Sequence, residues 1–467
     1  MKKTDRFFTL CSVCCAIAST VVLYSCTFEQ DDYFDESASL RITHINDQLQ
    51  DRLVKQSDEG NHGWLMQYFV AGTDDYSFEG FNIFARFYKD NKVTLAGNHR
   101  YLRGGNANKY TEYTSLYEML AEEGPVLSFN TWNDVLTVLE DPVSPTAAPA
   151  NVVSDGEGMN GDHNLVLSNY DDNTITFRGE RHGASIRFIP CDRPWNEYMD
   201  AVAKTKSDIT SDIISSYYVT NGVDTMYFEG LKKGYFNYCD RLNDPLRNKV
   251  LSCVFTTDGF RLHRADTLMH KIDTLANVNV AQPVTHFQEF RMAADSTCLI
   301  SDNDSVRVIA LWDNYIVNTR NSVWNFDPES LTADQKSIYD QIDGELKKTS
   351  KNYSLASVGL GKSSGNKAVK GLVITFYTNT AKTKKNTAGL ALDTNSPAFG
   401  QMKISYDTAA SVDGNMESIA KKCDIELLAR QFAASIQGVY DMVPDSYFVP
   451  SSCQLKNKDG GNTLFMK

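Results

Sequence analysis

After its first 25 residues the sequence has no further long apolar run, which excludes a second helix spanning a bilayer. It contains no His-Glu-x-x-His, so the helical zinc-protease site is absent. Its eight histidines, His44, His62, His99, His163, His182, His263, His270 and His286, are scattered. Positive charge is in deficit: 46 Lys and Arg stand against 59 Asp and Glu, a net charge of −13. The segment through Ser25 contributes +2, from Lys2, Lys3 and Arg6 against Asp5, and its removal leaves −15. So acidic a chain is a poor partner for nucleic acid, and no nucleic-acid partner is expected. Beyond Cys26 there is no close cysteine pair. Cys191, Cys239, Cys253, Cys298, Cys423 and Cys453 are widely and irregularly spaced, which suggests neither a zinc site nor a redox motif. Cys423 falls on the apolar side of a predicted helix and reads as a buried thiol. Cys239 and Cys253 are placed to face each other across a hairpin, a pairing that geometry decides.

What is present begins at the N-terminus. Lys2, Lys3 and Arg6 precede an apolar stretch from Phe7 to about Leu23, which ends in Leu23-Tyr24-Ser25-Cys26. This is the layout of a secretory signal. Ser25-Cys26 resembles a bacterial lipobox, which implies acylation of Cys26 and cleavage before it. The rival reading is a transmembrane anchor, but the run is near the lower limit for spanning and lacks a charged stop. Glu29, Asp31 and Asp32 follow at once. Such an acidic run is similar to the surface-export signal of Bacteroidetes outer-membrane lipoproteins; a solvated tether is the alternative. The expected location is the outer membrane, lipid-anchored and facing the cell exterior.

The remaining 42% hydrophobic chain is long enough for two or three cores. Apolar spacing predicts a helix from Asp35 to about Val54, with Ser37 as a cap. Residues 64–69, 81–87 and 93–95 read as strands, as do 165–167, 174–177 and 185–188. A second helix is expected from Trp195 to about Ser216, then strands at 251–256, 260–263 and 306–311. Thr332-x-x-Gln335 has the form of a capping box, strands are expected at 372–377 and 402–406, and a single last helix at 416–436. The fold class is therefore α+β, mostly antiparallel sheets with several packed helices, in two to three lobes. The expected division is a signal at 1–25, a lipidated acidic tether at 26–34, an N-terminal α+β lobe at 35–193, a middle β-rich lobe at 194–326 and a C-terminal α+β lobe at 327–467.

The order of motifs resembles a Bacteroidetes lipoprotein family known as domain of unknown function 4302. The residues that carry the resemblance are Gly63-Trp64, Gly124-Pro125-Val126-Leu127-Ser128-Phe129 and Asn133. With them go Gly158-Met159-Asn160-Gly161-Asp162, Leu165-Val166-Leu167, Phe177-Arg178-Gly179 and Phe255-Thr256-Thr257-Asp258-Gly259-Phe260. His163-Asn164 departs from the aromatic-acidic pair expected after Asp162. The resemblance spans most of the chain after the signal. It implies an accessory binding component of a SusC/SusD-like nutrient uptake system, with those proteins and a glycan or peptide as partners, and brings no catalytic residues.

The residues themselves offer few sites. Gly361-Lys362-Ser363-Ser364-Gly365 fits loose phosphate-loop and nucleophile-elbow patterns, but a following strand makes a polar hairpin the better reading. Asp155, Glu157 and Asp162, in a Gly-rich stretch, have oxygen ligands spaced for calcium, without the full twelve-residue pattern. Trp132, in Asn130-Thr131-Trp132-Asn133-Asp134, has the best polar company for an exposed platform, against the core position most tryptophans take. Trp64 and Trp195 read as core. No cofactor is implied. A hydrolase with a site built from distant residues, and a purely structural subunit, are the alternatives to a binding protein.

Overall fold

The structure, a computed structural model, describes residues 36–58, 60–71, 78–103, 105–141, 159–212, 214–239, 250–268, 285–318, 323–349, 351–461 and 463–467. The predicted signal, Cys26 and the acidic tether lie outside these residues. Among the described residues, six α-helices and mostly antiparallel sheets make an α+β fold, with sheet in excess.

Helix α1, Ala38–Lys55, starts where Ser37 accepts a hydrogen bond from Leu40 N–H, satisfying one orphan donor of the first turn. Its Leu49, Leu53 and Val54 are buried against a nine-stranded sheet. The strands are β1 Trp64–Phe69, β2 Phe81–Phe87, β3 Lys92–Gly97, β4 Thr111–Leu116, β5 Glu118–Ala121, β6 Pro125–Ser128, β7 Asn164–Tyr170, β8 Ile175–Gly179 and β9 Ser185–Pro190. Their order is β4-β3-β2-β1-β9-β8-β7-β6-β5. The two end strands, β4 and β5, are consecutive in the chain with only Tyr117 between them. The sheet therefore curls until its two margins meet at that residue. Tyr117 is buried, packs its ring edge-on to Phe87 at 4.9 Å and places its hydroxyl 3.2 Å from Tyr88 O.

Every residue of β1 is buried because both faces are covered. Trp64, Met66 and Tyr68 join the inner core with Leu49 and Leu53. Leu65, with Phe84 of β2, packs under helix α2, Trp195–Ile209, against Trp195, Tyr198 and Met199. The Trp195 indole donates to His62 O at 2.6 Å.

A closed eight-stranded barrel follows: β10 Ser216–Thr220, β11 Thr225–Glu229, β12 Tyr235–Cys239, β13 Val250–Phe255, β14 Gly259–Leu268, β15 Thr285–Met292, β16 Leu299–Ser301 and β17 Arg307–Ala310. Closure comes from β10 against β17, with Tyr217 opposite Ala310. The core of this part holds Tyr217, Phe228, Cys253, Leu262, Phe290 and Val308. The barrel wall docks on the curled sheet. Gly80 N–H donates to Cys253 O at 3.0 Å, Asn82 Nδ2 to Phe255 O at 2.8 Å, and the rings of Phe69 and His263 stack at 4.8 Å. The Cys239–Cys253 bridge that the sequence left open is not formed: Cys253 is a free, buried thiol. The reason is register. Tyr235 faces Ser252 and Asn237 faces Val250, so Cys239 runs away from Cys253 along the antiparallel pair. Burial pushes the Cys253 thiol up.

After helix α3, Trp312–Asn318, come two more sheets. One contains β18 Trp324–Asn325, β19 Ser354–Lys362, β20 Lys370–Tyr377 and β21 Lys385–Ala391; the other contains β22 Asp393–Asn395, β23 Gln401–Ser405, β24 Gly438–Pro444, β25 Cys453–Asn457 and β26 Thr463–Met466. The Gly361–Gly365 stretch is the end of β19 and its turn towards β20, with no helix after it. Helix α4, Ala333–Lys347, has the full reciprocal Thr332–Gln335 capping box. The single helix expected at 416–436 is instead two, α5 Gly414–Ala420 and α6 Ile425–Ser435. At the break, Asp424 N–H donates to Glu345 Oε2 of α4 at 3.1 Å, a tertiary bond in place of a helical one. Cys423, at this break, is half-buried rather than fully buried.

Candidate functional site

The segment after β6 turns back along edge strand β4 and is sewn to it by side chains. Thr131 Oγ1 accepts from Leu116 N–H at 2.8 Å. The Asn133 amide donates to Tyr113 O at 3.2 Å and to Ser115 Oγ at 2.9 Å, while its Oδ1 accepts from Val135 N–H at 3.0 Å. Asn133 is fully buried, and its bonds satisfy backbone groups that an edge strand would otherwise leave open.

Between these two stitches Trp132 points outward, with 42% of its surface exposed. Its ring is nevertheless held. The indole N–H donates to Asp134 Oδ1 at 2.6 Å. The Arg103 guanidinium lies 5.0 Å from the ring centroid, a cation–π distance, and is itself ion-paired to Asp141. An aromatic side chain fixed in this way is a rigid platform, so little rotamer entropy is lost when something docks on it.

Trp132 and Thr131 border two concavities. One, of about 340 Å³, is lined also by Phe129, Glu140, Asp141, His163 and Arg181. The other, of about 440 Å³, is lined by Lys92, Tyr113, Thr114, Ser115 and Leu116. In the first, His163 Nδ1 lies 2.6 Å from Glu140 Oε2. This hydrogen bond with Glu140 holds the half-buried imidazole above the ordinary histidine range, outweighing its partial desolvation. Arg181 has no ion pair among the described residues. A further cavity, of about 400 Å³, lies between α1 and the 170–172 turn, lined by Gln48, Arg52 and Tyr170; it has no comparably fixed aromatic platform.

Asp162, one of the three candidate calcium ligands, spends its carboxylate on the protein. Oδ1 accepts from Arg181 and His182 N–H, both at 2.9 Å, and Oδ2 from Ala184 N–H at 3.0 Å. Its own backbone is clasped by the fully buried Tyr68, whose hydroxyl accepts from Asp162 N–H at 2.6 Å and donates to Asp162 O at 3.0 Å. Gly161 passes so close to Leu139 that a Cβ would meet its carbonyl carbon at 2.8 Å. Asp155 and Glu157 lie outside the described residues. Among the described residues no group of three His, Cys, Asp or Glu is placed to hold a metal ion. Trp64 and Trp195 are buried, as are Trp312 and Trp324.

The family described as domain of unknown function 4302 (DUF4302) matches residues 30–272, more than half of the chain. The chain belongs to the DUF4302 family. The match takes in the whole curled sheet and the Trp132 concavities and ends inside the barrel; it is shown over this part and not over the C-terminal sheets. No curated protein matches the chain. Solved structures give only distant likenesses. A DNA polymerase sliding clamp from Pseudomonas aeruginosa is 7% identical over 91% of this chain and 96% of that one, with a TM-score of 0.13. A beta clamp from Helicobacter pylori bound to a DNA ligase peptide is 10% identical over 90% and 97%, also at 0.13. Likenesses at these scores carry no argument.

The sequence singled out Trp132 through its polar neighbours. It did not single out Arg103, Glu140 or Arg181 beside it, because they come from separate loops and no local pattern joins them.

Proposed function

We propose that this DUF4302 chain is a Bacteroidetes lipoprotein of the outer membrane, anchored through Cys26 at the cell surface, and an accessory binding component of a SusC/SusD-like nutrient uptake system. Its ligand, a glycan or peptide, docks at Trp132. The observation that carries the binding role is an exposed tryptophan immobilised by Arg103 and Asp134 at the border of two concavities. Aromatic faces suit the apolar C–H surfaces of sugar rings, and such sites combine a few fixed polar groups with apolar walls.

Binding is favoured over hydrolysis by the state of the acids. Glu140 is engaged by His163 and Asp141 by Arg103, so neither stands free as the acid or nucleophile of a two-carboxylate mechanism. The anchoring part rests on the lipobox and acidic tether. Among the described residues no helix is long and apolar enough to cross a membrane.

The test is retention of glycan and peptide libraries by the full mature chain and by Trp132→Ala. Trp132-dependent retention without turnover is expected. Turnover of a retained ligand, or retention indifferent to Trp132, overturns the binding role.

A further inference from the structure

We infer that the ligand is an acidic oligosaccharide that crosses the Trp132 ridge, with a sugar unit in each concavity and a carboxylate against Arg181. This deepens the binding role proposed above and rests on it.

Three observations select this class. First, Thr131 and Trp132 line both concavities, so they form a ridge shared by two neighbouring subsites. A single sugar fills one of them, whereas a chain of linked sugars fills both. Linkage makes the second contact intramolecular, which raises affinity steeply with the first added unit.

Second, the walls differ in chemistry. On one side Tyr113, Thr114 and Ser115 offer hydroxyls around an apolar Leu116, beside Lys92, whose charge is already paired with Asp90. On the other, Glu140 is hydrogen-bonded with His163 and Asp141 is ion-paired with Arg103. The cation left over is Arg181, which has no ion pair among the described residues. A planar guanidinium is matched to a carboxylate, which it can bind through two parallel N–H donors. An arginine with no ion pair at a cleft wall presents charged donors that a neutral ligand would not fully use.

Third, an extended peptide is disfavoured by the state of β4. A peptide adding to a sheet edge is held by backbone hydrogen bonds to that edge. Here Tyr113 O is occupied by Asn133 and Leu116 N–H by Thr131, so the stretch next to Trp132 is already taken. What remains for recognition is side-chain chemistry: an aromatic platform, hydroxyls and one guanidinium.

The experiment is calorimetric titration of the full mature chain, Trp132→Ala and Arg181→Gln. The probes are monomers, dimers and tetramers of galacturonate, hyaluronan and heparin oligosaccharides, with cello- and malto-oligosaccharides and an acidic peptide as controls. At least one acidic series should bind more tightly as tetramer than as monomer by roughly tenfold or more, about 1.4 kcal/mol. Arg181→Gln should remove the preference for acidic over neutral sugars while sparing the remainder, and Trp132→Ala should abolish binding. Arg181 is exposed, so the variant will fold, and far-ultraviolet dichroism checks this. Trp132-dependent binding that ignores length or charge, or that selects the peptide, overturns this inference and leaves the binding role standing. Binding of no probe overturns the inference. Binding indifferent to Trp132 sinks both.

Discussion

The carboxylate of Asp162 occupies the space in which a side chain at residue 179 would begin, so Gly179 is required there by contact. The two residues come from separate stretches of the DUF4302 resemblance, Gly158 to Asp162 and Phe177 to Gly179. The structure explains both as halves of one packing arrangement, in which Asp162 organises the turn from Arg181 to Ala184.

Replacing Gly179 by Ala should therefore destabilise the chain by about 2–4 kcal/mol, as overpacking against a buried group. Asp162→Ala strands backbone donors and should cost roughly 3 kcal/mol or more. The double variant should lose less than the sum, by at least about 1 kcal/mol, because the two shortest contacts of the new methyl, with Asp162 Oδ2 and Cγ, are gone and only that with the Cβ at 2.6 Å remains. Urea denaturation of the four proteins measures this coupling; strict additivity would contradict the contact.

His99 is buried, and its imidazole is pushed down to about 4 by desolvation, opposed by a hydrogen bond with Val135 O. The nitrogen next to that carbonyl, Nε2, lies 2.9 Å from it and must donate. Between pH 6.5 and 4 the unfolded chain takes up a proton that the folded chain refuses, so stability falls as pH falls through this window, by up to about 1.4 kcal/mol per pH unit. His99→Gln, which keeps a donor, should flatten the dependence of Tm on pH in this interval. A variant with an unchanged slope would place the acid sensitivity elsewhere.

Cys26→Ala should release the protein from membranes, since acyl chains on that cysteine are the expected strong anchor. Fractionation followed by a carbonate wash reads the outcome, and a variant that still sediments would remove the lipobox from the proposal. In a separate variant, neutralising Glu29, Asp31 and Asp32 should leave membrane attachment intact but abolish protease shaving of intact cells. Equal digestion would reduce the acidic run to a spacer.

Local signals were the legible ones. Ser37 and the Thr332–Gln335 pair are capping chemistry contained within four residues, and both helices begin where that chemistry says. The β1 and β2 strands could be read from apolar density alone. The break at Asp424 could not, because the group that ends the helical run is Glu345, far away in sequence. The barrel was illegible for the same reason: β16 has three residues, and closure depends on a partner at the other end of the domain. Strand β4 is exposed on most of its residues and has no alternating apolar signature. Asn133 could be noticed as part of a motif, but its role as a side-chain stitch on β4 exists only once that strand is in place. At the candidate site, Trp132 was legible from its neighbours, whereas the clamp from Arg103 and Asp141 was not.

The pairing of Tyr217 with Ala310 has a kinetic consequence. Sealing the barrel joins its first strand to its last, and the chain between them must be ordered before the bond network rewards it. Loop-closure entropy is therefore spent early and recovered late, which slows folding, with a cost that grows as the logarithm of the loop length. Until Ala310 is in place, β10 and β17 each present an unpaired margin. A chain cut short before that residue would keep an open sheet, with its aromatic core exposed to other molecules.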